Sequence, residues 1–231
     1  MPVKRLVLFD IDETMISSDG AGRRSLARAL FQTHRLDESA AAIPMSGKTD
    51  PQIIKEILTA SGYSALEAEA RLHEILSLYL QFLDEEIAKS TYYIKHPGID
   101  SLLESLDEHE QAYLGLLTGN VESGAAKKLN YFQLMQYFPI GAYGSDSACR
   151  LDLPAIAVER AKKHFALDFA PREVVIIGDS VNDIACAKHF GACVVAVNTG
   201  RTSYEELESH KPDFLFRNLE NTSQVLEAIF A

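Results

Sequence analysis

The first apolar run of the chain ends in two carboxylates, and this feature constrains the fold more than any other. Residues 3–9 read VKRLVLF and are followed by Asp10 and Asp12. An apolar run bounded by polar residues is typical of a buried strand, and ligands of parallel α/β folds bind where strands end. Two carboxylates there are costly without a partner, and a hard cation suits them. The sequence therefore predicts metal-assisted chemistry centred on Asp10.

Further short apolar runs alternate with helical patterns along the chain. The runs lie at 112–117, 174–177, 193–197 and 214–216, with a weaker one at 140–143. A helical pattern after Pro97-Gly98 has apolar residues at i, i+3, i+4 and i+7, namely Ile99, Leu102, Leu103 and Leu106. Strands that alternate with helices indicate an α/β fold, with a parallel sheet covered by helices on both faces.

One long stretch, from about residue 19 to residue 93, shows helical patterns and no convincing strand. Its clearest stripe consists of Leu72, Ile75, Leu76, Tyr79, Leu83 and Ile87. A stretch of this length is too long for a single crossover helix. We therefore predict an all-α insert directly after the first strand, above the carboxyl ends of the strands and over Asp10. The predicted division is a core of residues 1–17 and 95–231 and a cap of residues 18–94.

Composition and charge exclude several classes of protein. The chain has 231 residues, with 47% hydrophobic and 24% charged residues, as in an ordinary soluble globular protein. Its formal net charge of −11 argues against nonspecific nucleic-acid binding. No apolar stretch is long enough for a membrane helix, and Asp10 and Asp12 interrupt the only N-terminal apolar run, so no signal peptide is expected. Reduced thiols at Cys149, Cys186 and Cys193 suit a cytoplasmic protein.

The run at 112–117 is followed by Thr118, Gly119 and Asn120. A hydroxyl, a glycine and an amide at the start of a helix offer several donors to an anion. The alternative is that these residues only cap the helix. Their position at a strand end beside the predicted metal site is what favours the functional interpretation.

The run at 174–177 is followed by Gly178 and a second pair of carboxylates, Asp179 and Asp183. Their spacing brings the two side chains near each other if a helix begins between them. A helix cap at Asp179 or Ser180 is the alternative. A cap explains one acidic residue but does not explain why the two strongest buried runs both end in aspartate.

These pieces together resemble the haloacid dehalogenase-like superfamily of phosphohydrolases, over nearly the whole chain. Residues 10–14 look like its first motif, Thr118 like its second, Arg150 like its third and residues 178–183 like its fourth. The resemblance implies a Rossmann-like sheet as the core. The insert looks like the helical cap of the phosphoglycolate phosphatase-like branch, and Gly47-Lys48-Thr49-Asp50 looks like a cap-loop motif of that branch.

The chain departs from the family pattern at two positions. The third motif usually has Lys, so alternatives to Arg150 remain at Lys127, Lys162 and Lys163. In isolation Arg150 would be read as a solvated surface residue. Glu13 stands where many members have Gly, which leaves both carboxylates of the first motif in place.

The resemblance implies a two-step phosphoryl transfer. Asp10 would be the nucleophile that forms an aspartyl-phosphate, and Asp12 the general acid and base. Mg²⁺ would be held by the Asp10 carboxylate, the Asp12 backbone carbonyl and the Asp179 carboxylate. Asp183 would lie behind these ligands and orient a metal-bound water or the basic residue.

The same resemblance assigns the phosphate-binding groups. Thr118 and Arg150, with donors near Gly119 and Asn120, would hold the oxygens of the transferred phosphoryl group. Lys48 is a candidate substrate contact in the cap, with a solvated lysine as the alternative. Arg23 and Arg24 are weaker candidates of the same kind.

Asp12 also narrows the expected reaction. Dehalogenase members lack a carboxylate at this position, so Asp12 favours hydrolysis of a small phosphorylated metabolite. The alternatives are a phosphomutase of the β-phosphoglucomutase type and a catalytically silent binding protein of the same fold. The sequence identifies neither the substrate nor the oligomeric state.

Overall fold

The computed structural model describes residues 4–231. Its strands, in chain order, are β1 Arg5–Phe9, β2 Ile16–Ser17, β3 Ile94–Lys95, β4 Ala112–Leu117, β5 Ile140–Ala142, β6 Val174–Gly178, β7 Cys193–Val197 and β8 Phe214–Phe216. Six of them form one sheet in the order β5-β4-β1-β6-β7-β8, and every neighbouring pair is parallel. β1 therefore lies in the middle of the sheet, where its residues are fully covered.

Nine α-helices lie in the described residues. They are α1 Ala21–His34, α2 Asp50–Ala60, α3 Ala65–Lys89, α4 Ile99–Asp107, α5 Glu122–Asn130, α6 Leu153–Phe165, α7 Val181–Phe190, α8 Tyr204–Ser209 and α9 Thr222–Ile229. Short 3₁₀ helices lie at Glu38–Ala41, Leu134–Tyr137, Arg150–Asp152 and Pro171–Glu173.

Alternating side chains of the central strand face two separate apolar layers. Val7 and Phe9 pack in the layer that contains residues of α4 and α9, whereas Leu6 and Leu8 pack in the layer that contains residues of α6 and α7. This is the period-two alternation of a strand covered on both faces. The α/β, Rossmann-like architecture predicted from the sequence is confirmed.

Between β2 and β3 the chain is helical, with α1, α2 and α3 and one 3₁₀ turn. Four members of the predicted stripe on α3 are buried, at Ile75, Tyr79, Leu83 and Ile87, and the other two are half-buried. We call residues 18–94 the helical insert. Its assignment as a separate cap domain stays a prediction.

The two ends of the helical insert meet in a short antiparallel ribbon. Ile16 pairs with Lys95 and Ser17 pairs with Ile94. The sequence did not predict these strands, because two residues are too few for an alternating pattern to be visible. The longer predicted strands occur at the expected places, and the first begins at Arg5, with position 3 outside the described residues.

None of the nine helices is both long enough and apolar enough to cross a membrane.

Candidate active site

Asp10 lies at the carboxyl edge of the sheet, directly after β1. Its backbone N–H donates to the carbonyl of Ile177 at 2.9 Å, so the side chain leaves the sheet beside the end of β6. The chain then turns sharply, and Glu13 adopts a left-handed backbone conformation with φ of 60°. Only glycine adopts this conformation without cost. The turn thus supplies a physical reason for the glycine that many members of the resembled family have at this position.

Three buried carboxylates converge at this edge. Oxygens of Asp10, Asp179 and Asp183 lie within 4.8 Å of one another. Burial raises the pKa of Asp10 to about 6, with Arg150 opposing the shift and Asp183 and Asp12 adding to it. Burial and the neighbouring carboxylates Asp183 and Asp10 also raise the pKa of Asp179 well above its ordinary value. Such a cluster of oxygen donors fits a hard divalent cation, whose charge would relieve the repulsion.

Arg150 lies among these carboxylates and is only 6% exposed. One terminal nitrogen lies 3.2 Å from Asp10 Oδ1 and also contacts Asp183 Oδ1. These two charges raise the pKa of Arg150 against the opposite effect of burial. Its Nε is buried and has no hydrogen-bond partner among residues 4–231. A donor is therefore left for an anion beside Asp10.

The alternative basic residues of the third motif lie elsewhere. Lys127, Lys162 and Lys163 form surface ion pairs, with Asp84, Asp168 and Glu159 respectively. Among the four candidates, Arg150 alone lines the cavity over Asp10.

Asp183 is held by the start of α7. Its Oδ2 accepts hydrogen bonds from the Ser180 hydroxyl at 2.6 Å and from the Ser180 backbone N–H at 3.0 Å. Gly178 leaves room for this carboxylate, because a Cβ at position 178 would overlap it. Asp183 therefore has one oxygen engaged by its own helix start and the other facing Arg150.

Thr118, Gly119 and Asn120 follow β4 at the same edge. The amide nitrogen of Asn120 donates to Asp12 Oδ2 at 2.8 Å and to Thr118 Oγ1 at 2.9 Å. Both side chains are almost fully buried. The side chain of Asn120 is thus engaged by Asp12, a contact that the sequence did not predict.

Lys128, on α5, is a site residue that sequence reasoning missed. Its side chain is 4% exposed, and Nζ lies 2.6 Å from Asp12 Oδ2 and 2.6 Å from Asn120 Oδ1. Burial acts to raise the pKa of Asp12, but Lys128, Asn120 and Ser18 outweigh it, so this pKa is lowered. Asp10 and Asp12, two residues apart, therefore have pKa values shifted in opposite directions.

Asp50, the first residue of α2, is a second missed residue. Its backbone N–H donates to the carbonyl of Gly119 at 2.8 Å, and its Oδ2 accepts from the N–H of Val121 at 2.9 Å. Burial raises the pKa of Asp50 to about 6, although Lys128 opposes the shift. Because it began a helix, Asp50 carried no sequence signal beyond that of an ordinary helix start.

Close backbone contacts join the loop before α2 to the sheet edge. A Cβ at Gly119 would overlap the carbonyl of Lys48, and a Cβ at Gly47 would overlap the side chain of Ser180. The Asn182 amide donates to the carbonyl of Ser46 at 2.8 Å. The helical insert is therefore docked on the residues that follow β4 and β6.

The docked insert and the sheet edge enclose a cavity of about 340 Å³. Asp10, Asp12 and Asp179 lie on the side of the sheet. The insert contributes Lys48, whose ammonium pairs with Glu56. Several further side chains of the insert give the cavity an apolar wall: Leu26, Ile53, Ile54, Leu76 and Tyr79.

A sequence profile described as haloacid dehalogenase-like hydrolase matches residues 7–197. A phosphoglycolate phosphatase from Pasteurella multocida is 23% identical over 229 residues, covering 96% of this chain and 98% of the relative. One from Vibrio vulnificus is 25% identical, covering 97% of this chain and 96% of the relative.

Solved structures share the fold over almost the whole chain. A hydrolase from Pseudomonas syringae superposes with a TM-score of 0.74 at 20% identity, covering 97% of this chain and 98% of that structure. A protein from Bacteroides vulgatus, provisionally named β-phosphoglucomutase, gives a TM-score of 0.69 at 20% identity, covering 99% and 89%. At this identity the likeness concerns the fold.

Proposed function

The chain belongs to the haloacid dehalogenase-like hydrolase family as a phosphatase, and from this we propose that it hydrolyses a small-molecule phosphate monoester, with Mg²⁺, through an aspartyl-phosphate on Asp10. One observation carries the proposal. Asp10 faces a cavity beside Asp179 and Arg150, while Asp12 in the same turn is held by Lys128. A nucleophile and a proton carrier are thus separated by their surroundings.

The residues that would hold Mg²⁺ are the carboxylates of Asp10 and Asp179 and the backbone carbonyl of Asp12. The convergence of buried oxygens at Asp10, Asp179 and Asp183 supports this assignment. When bound, the ion would neutralise the charges of a carboxylate and a phosphate that must approach each other. Asp183 contacts Arg150, which supports its assignment as a residue that orients the basic side chain.

The reaction would use the residues of this edge in two steps. An Asp10 oxygen forms a bond to phosphorus while the bond from phosphorus to the ester oxygen breaks, and Asp12 gives that oxygen a proton. In the second step Asp12 takes a proton from water, which attacks the phosphorus and releases Asp10 with inorganic phosphate. Thr118 and Arg150, with donors near Gly119 and Asn120, hold the phosphoryl oxygens.

The helical insert would act as the cap that closes over a small phosphorylated metabolite. Its loop at 46–50 is docked on the core, and Lys48 lines the cavity. Because the Lys48 ammonium pairs with Glu56, a direct contact of Lys48 with a charged substrate would require exchange of that partner. The curated relatives named phosphoglycolate phosphatase make phosphoglycolate the first ester to test.

A phosphomutase of the β-phosphoglucomutase type is the second candidate, favoured by the structural likeness to the Bacteroides vulgatus protein. A mutase returns the phosphoryl group to a second hydroxyl of the sugar, whereas a phosphatase gives it to water. Release of inorganic phosphate from an ester with no second hydroxyl separates the two reactions.

The experiment measures phosphate release from p-nitrophenyl phosphate and phosphoglycolate, with Mg²⁺ and with EDTA. The wild type should release phosphate only with the metal. Asp10→Asn should abolish turnover while its circular dichroism spectrum and melting temperature stay close to those of the wild type. Absence of phosphate release across a broad panel of esters, with the protein folded, would instead support the silent binding protein.

A further inference from the structure

Five cationic side chains line the cavity, and they fall into two groups. Lys48, Lys128 and Arg150 each have a carboxylate partner. Arg23 and Arg201 line the same cavity, but neither forms an ion pair with a carboxylate of residues 4–231. In a chain with a net charge of −11, two cations without an acidic partner beside one cavity need an explanation.

Arg23 is held in place by the helical insert. It lies on α1, and its two terminal nitrogens donate to the backbone carbonyls of Ala41 and Ile43. Carbonyls orient a guanidinium without neutralising its charge. Burial and the nearby charge of Arg201 both lower the pKa of Arg23, so the two arginines repel each other in the absence of an anion.

Arg201 is held in place by the core. The preceding residue, Gly200, packs so closely on the Asp179 carboxylate that a Cβ at position 200 would overlap it. The hydroxyl of Thr199 donates to the carbonyl of Glu13, which ties the same loop to the turn after β1. The backbone of Arg201 therefore begins one residue from a proposed metal ligand, although its long side chain is exposed.

The two arginines approach the cavity from different parts of the chain. The transferred phosphoryl group would lie against Asp10, where Arg150 already supplies a buried guanidinium. Arg23 comes from the insert and Arg201 from the loop after β7, and neither forms a hydrogen bond or ion pair with Asp10 among the described residues. An anion between them would belong to another part of the substrate.

We propose that Arg23 and Arg201 form a subsite for a second oxyanion, carried by the alcohol part of the phosphate ester. This inference rests on the proposed function, and it makes the substrate a phosphate monoester with a further negative group. A carboxylate and a second phosphate share the required chemistry, since a guanidinium binds both through paired N–H donors. Arg23 and Arg201 are specificity residues, with no part in bond breaking.

The test compares esters that differ in the second group. The substrates are phosphoglycolate, with a carboxylate, 2-hydroxyethyl phosphate, with an uncharged hydroxyl, and 1,3-propanediol bisphosphate, with a second phosphate. The proteins are the wild type, Arg23→Gln, Arg201→Gln and the double variant. Arg172→Gln is the matched control, because Arg172 is exposed directly before β6, at the opposite edge of the sheet.

The wild type should have a higher kcat/KM for at least one doubly anionic ester than for 2-hydroxyethyl phosphate. Each arginine variant should lower this ratio about tenfold, as expected for loss of a charge-assisted hydrogen bond, chiefly through KM. Arg172→Gln should leave the ratio unchanged. The ester whose ratio falls identifies the second group as a carboxylate or a phosphate.

A wild type that hydrolyses the uncharged ester as well as both anionic ones, or variants that leave the ratio unchanged, would overturn the subsite. Calorimetric titration of Asp10→Asn with the same esters separates this outcome from failure of the proposed function. If no ester is hydrolysed, but Asp10→Asn prefers an anionic ester and adding Arg201→Gln removes that preference, the phosphatase proposal is wrong and the subsite stands. Equal affinity of Asp10→Asn for all three esters would contradict the subsite.

Discussion

The ammonium of Lys128 lies 2.6 Å from the carboxylate of Asp12 and is almost fully buried. The same ammonium donates to Asn120, whose amide in turn donates to Asp12. Asp12 therefore has its orientation set by two side chains that come from the segment after β4. This arrangement ties the proposed proton carrier to a helix of the core rather than to the helical insert.

Replacement of Lys128 by Met should impair both activity and stability. Asp12 would lose its ionic partner and its orientation, so we expect kcat to fall at least tenfold. Removing one partner of a buried ion pair leaves a charge uncompensated. Because Asp12 is one-third exposed, the free energy of unfolding should fall by only about 1 to 3 kcal/mol. Urea denaturation and steady-state kinetics measure the two effects.

Lys127→Met is the control, because Lys127 is the neighbouring residue on the same helix and forms an exposed pair with Asp84. Its free energy of unfolding should change by less than about 1 kcal/mol, with kcat unchanged. Equal effects of the two substitutions would contradict a special part for Lys128.

Arg150→Ala should chiefly weaken stabilisation of the phosphoryl group. It also leaves Asp10 and Asp183 without the cation that lies between them. We expect kcat/KM to fall about 100-fold, in the range found for removal of a donor to a developing oxyanion. Arg150→Lys should recover part of this loss, since an ammonium keeps the charge. Unchanged kcat and KM in Arg150→Ala would remove Arg150 from the proposed site.

Gly119→Ala should disturb the docking of the helical insert. The new methyl group would overlap the carbonyl of Lys48, so the loop at 46–50 must move away from the core. We expect KM to rise several-fold and the loop to become more sensitive to protease. Gly124→Ala on α5 is the control, because a Cβ there meets its neighbours only at ordinary distances of 3.5 to 3.7 Å. Matching behaviour of the two variants would refute the docking argument.

Asp50 should make stability depend on pH in a direction unusual for an aspartate. Its pKa is about 6 in the folded protein, against an ordinary value of 3.8, so the folded state binds the proton more tightly. Asp50 then contributes stability at low pH, and that contribution is lost as the pH rises from about 4 through 6.

Asp50→Asn removes this titration and leaves an oxygen that can accept from Val121. Between pH 4.5 and 7.5 in EDTA, the wild type should lose about 1 to 2 kcal/mol more unfolding free energy than the variant. This is less than the full equivalent of the pKa shift, because the residue is only half-buried. Parallel stability curves for the two proteins would show that the Asp50 pKa is not raised.

The sequence predicted those site residues that directly follow a buried strand. Asp10, Thr118 and Asp179 each occupy such a position, and a strand end places a side chain at the sheet edge whatever the details of packing. Lys128 lies within a helix next to Lys127, and only the packing of α5 shows which of the two is buried. Arg201 lies in a loop between β7 and α8, where no periodic pattern exists to place it.

The helical insert illustrates the same limit. The stripe on α3 predicted which of its faces is buried, since that face follows from helical period alone. The pairing of Lys48 with Glu56 and of Arg24 with Glu86 depends on rotamers and on how helices approach one another. A cation in a sequence therefore does not reveal whether its charge is already balanced within the fold, and this distinction separates Arg23 from Arg24.

The ribbon of β2 and β3 has a consequence for how such a chain can be rebuilt. Ser17 and Ile94 are paired neighbours, so the helical insert leaves and re-enters the core about 5 Å apart. A segment whose ends lie close together can be exchanged without stretching the surrounding sheet. The core can therefore accept foreign caps of other lengths at this single junction, and recombining them with an unaltered set of aspartates is a practical route to new ester specificities.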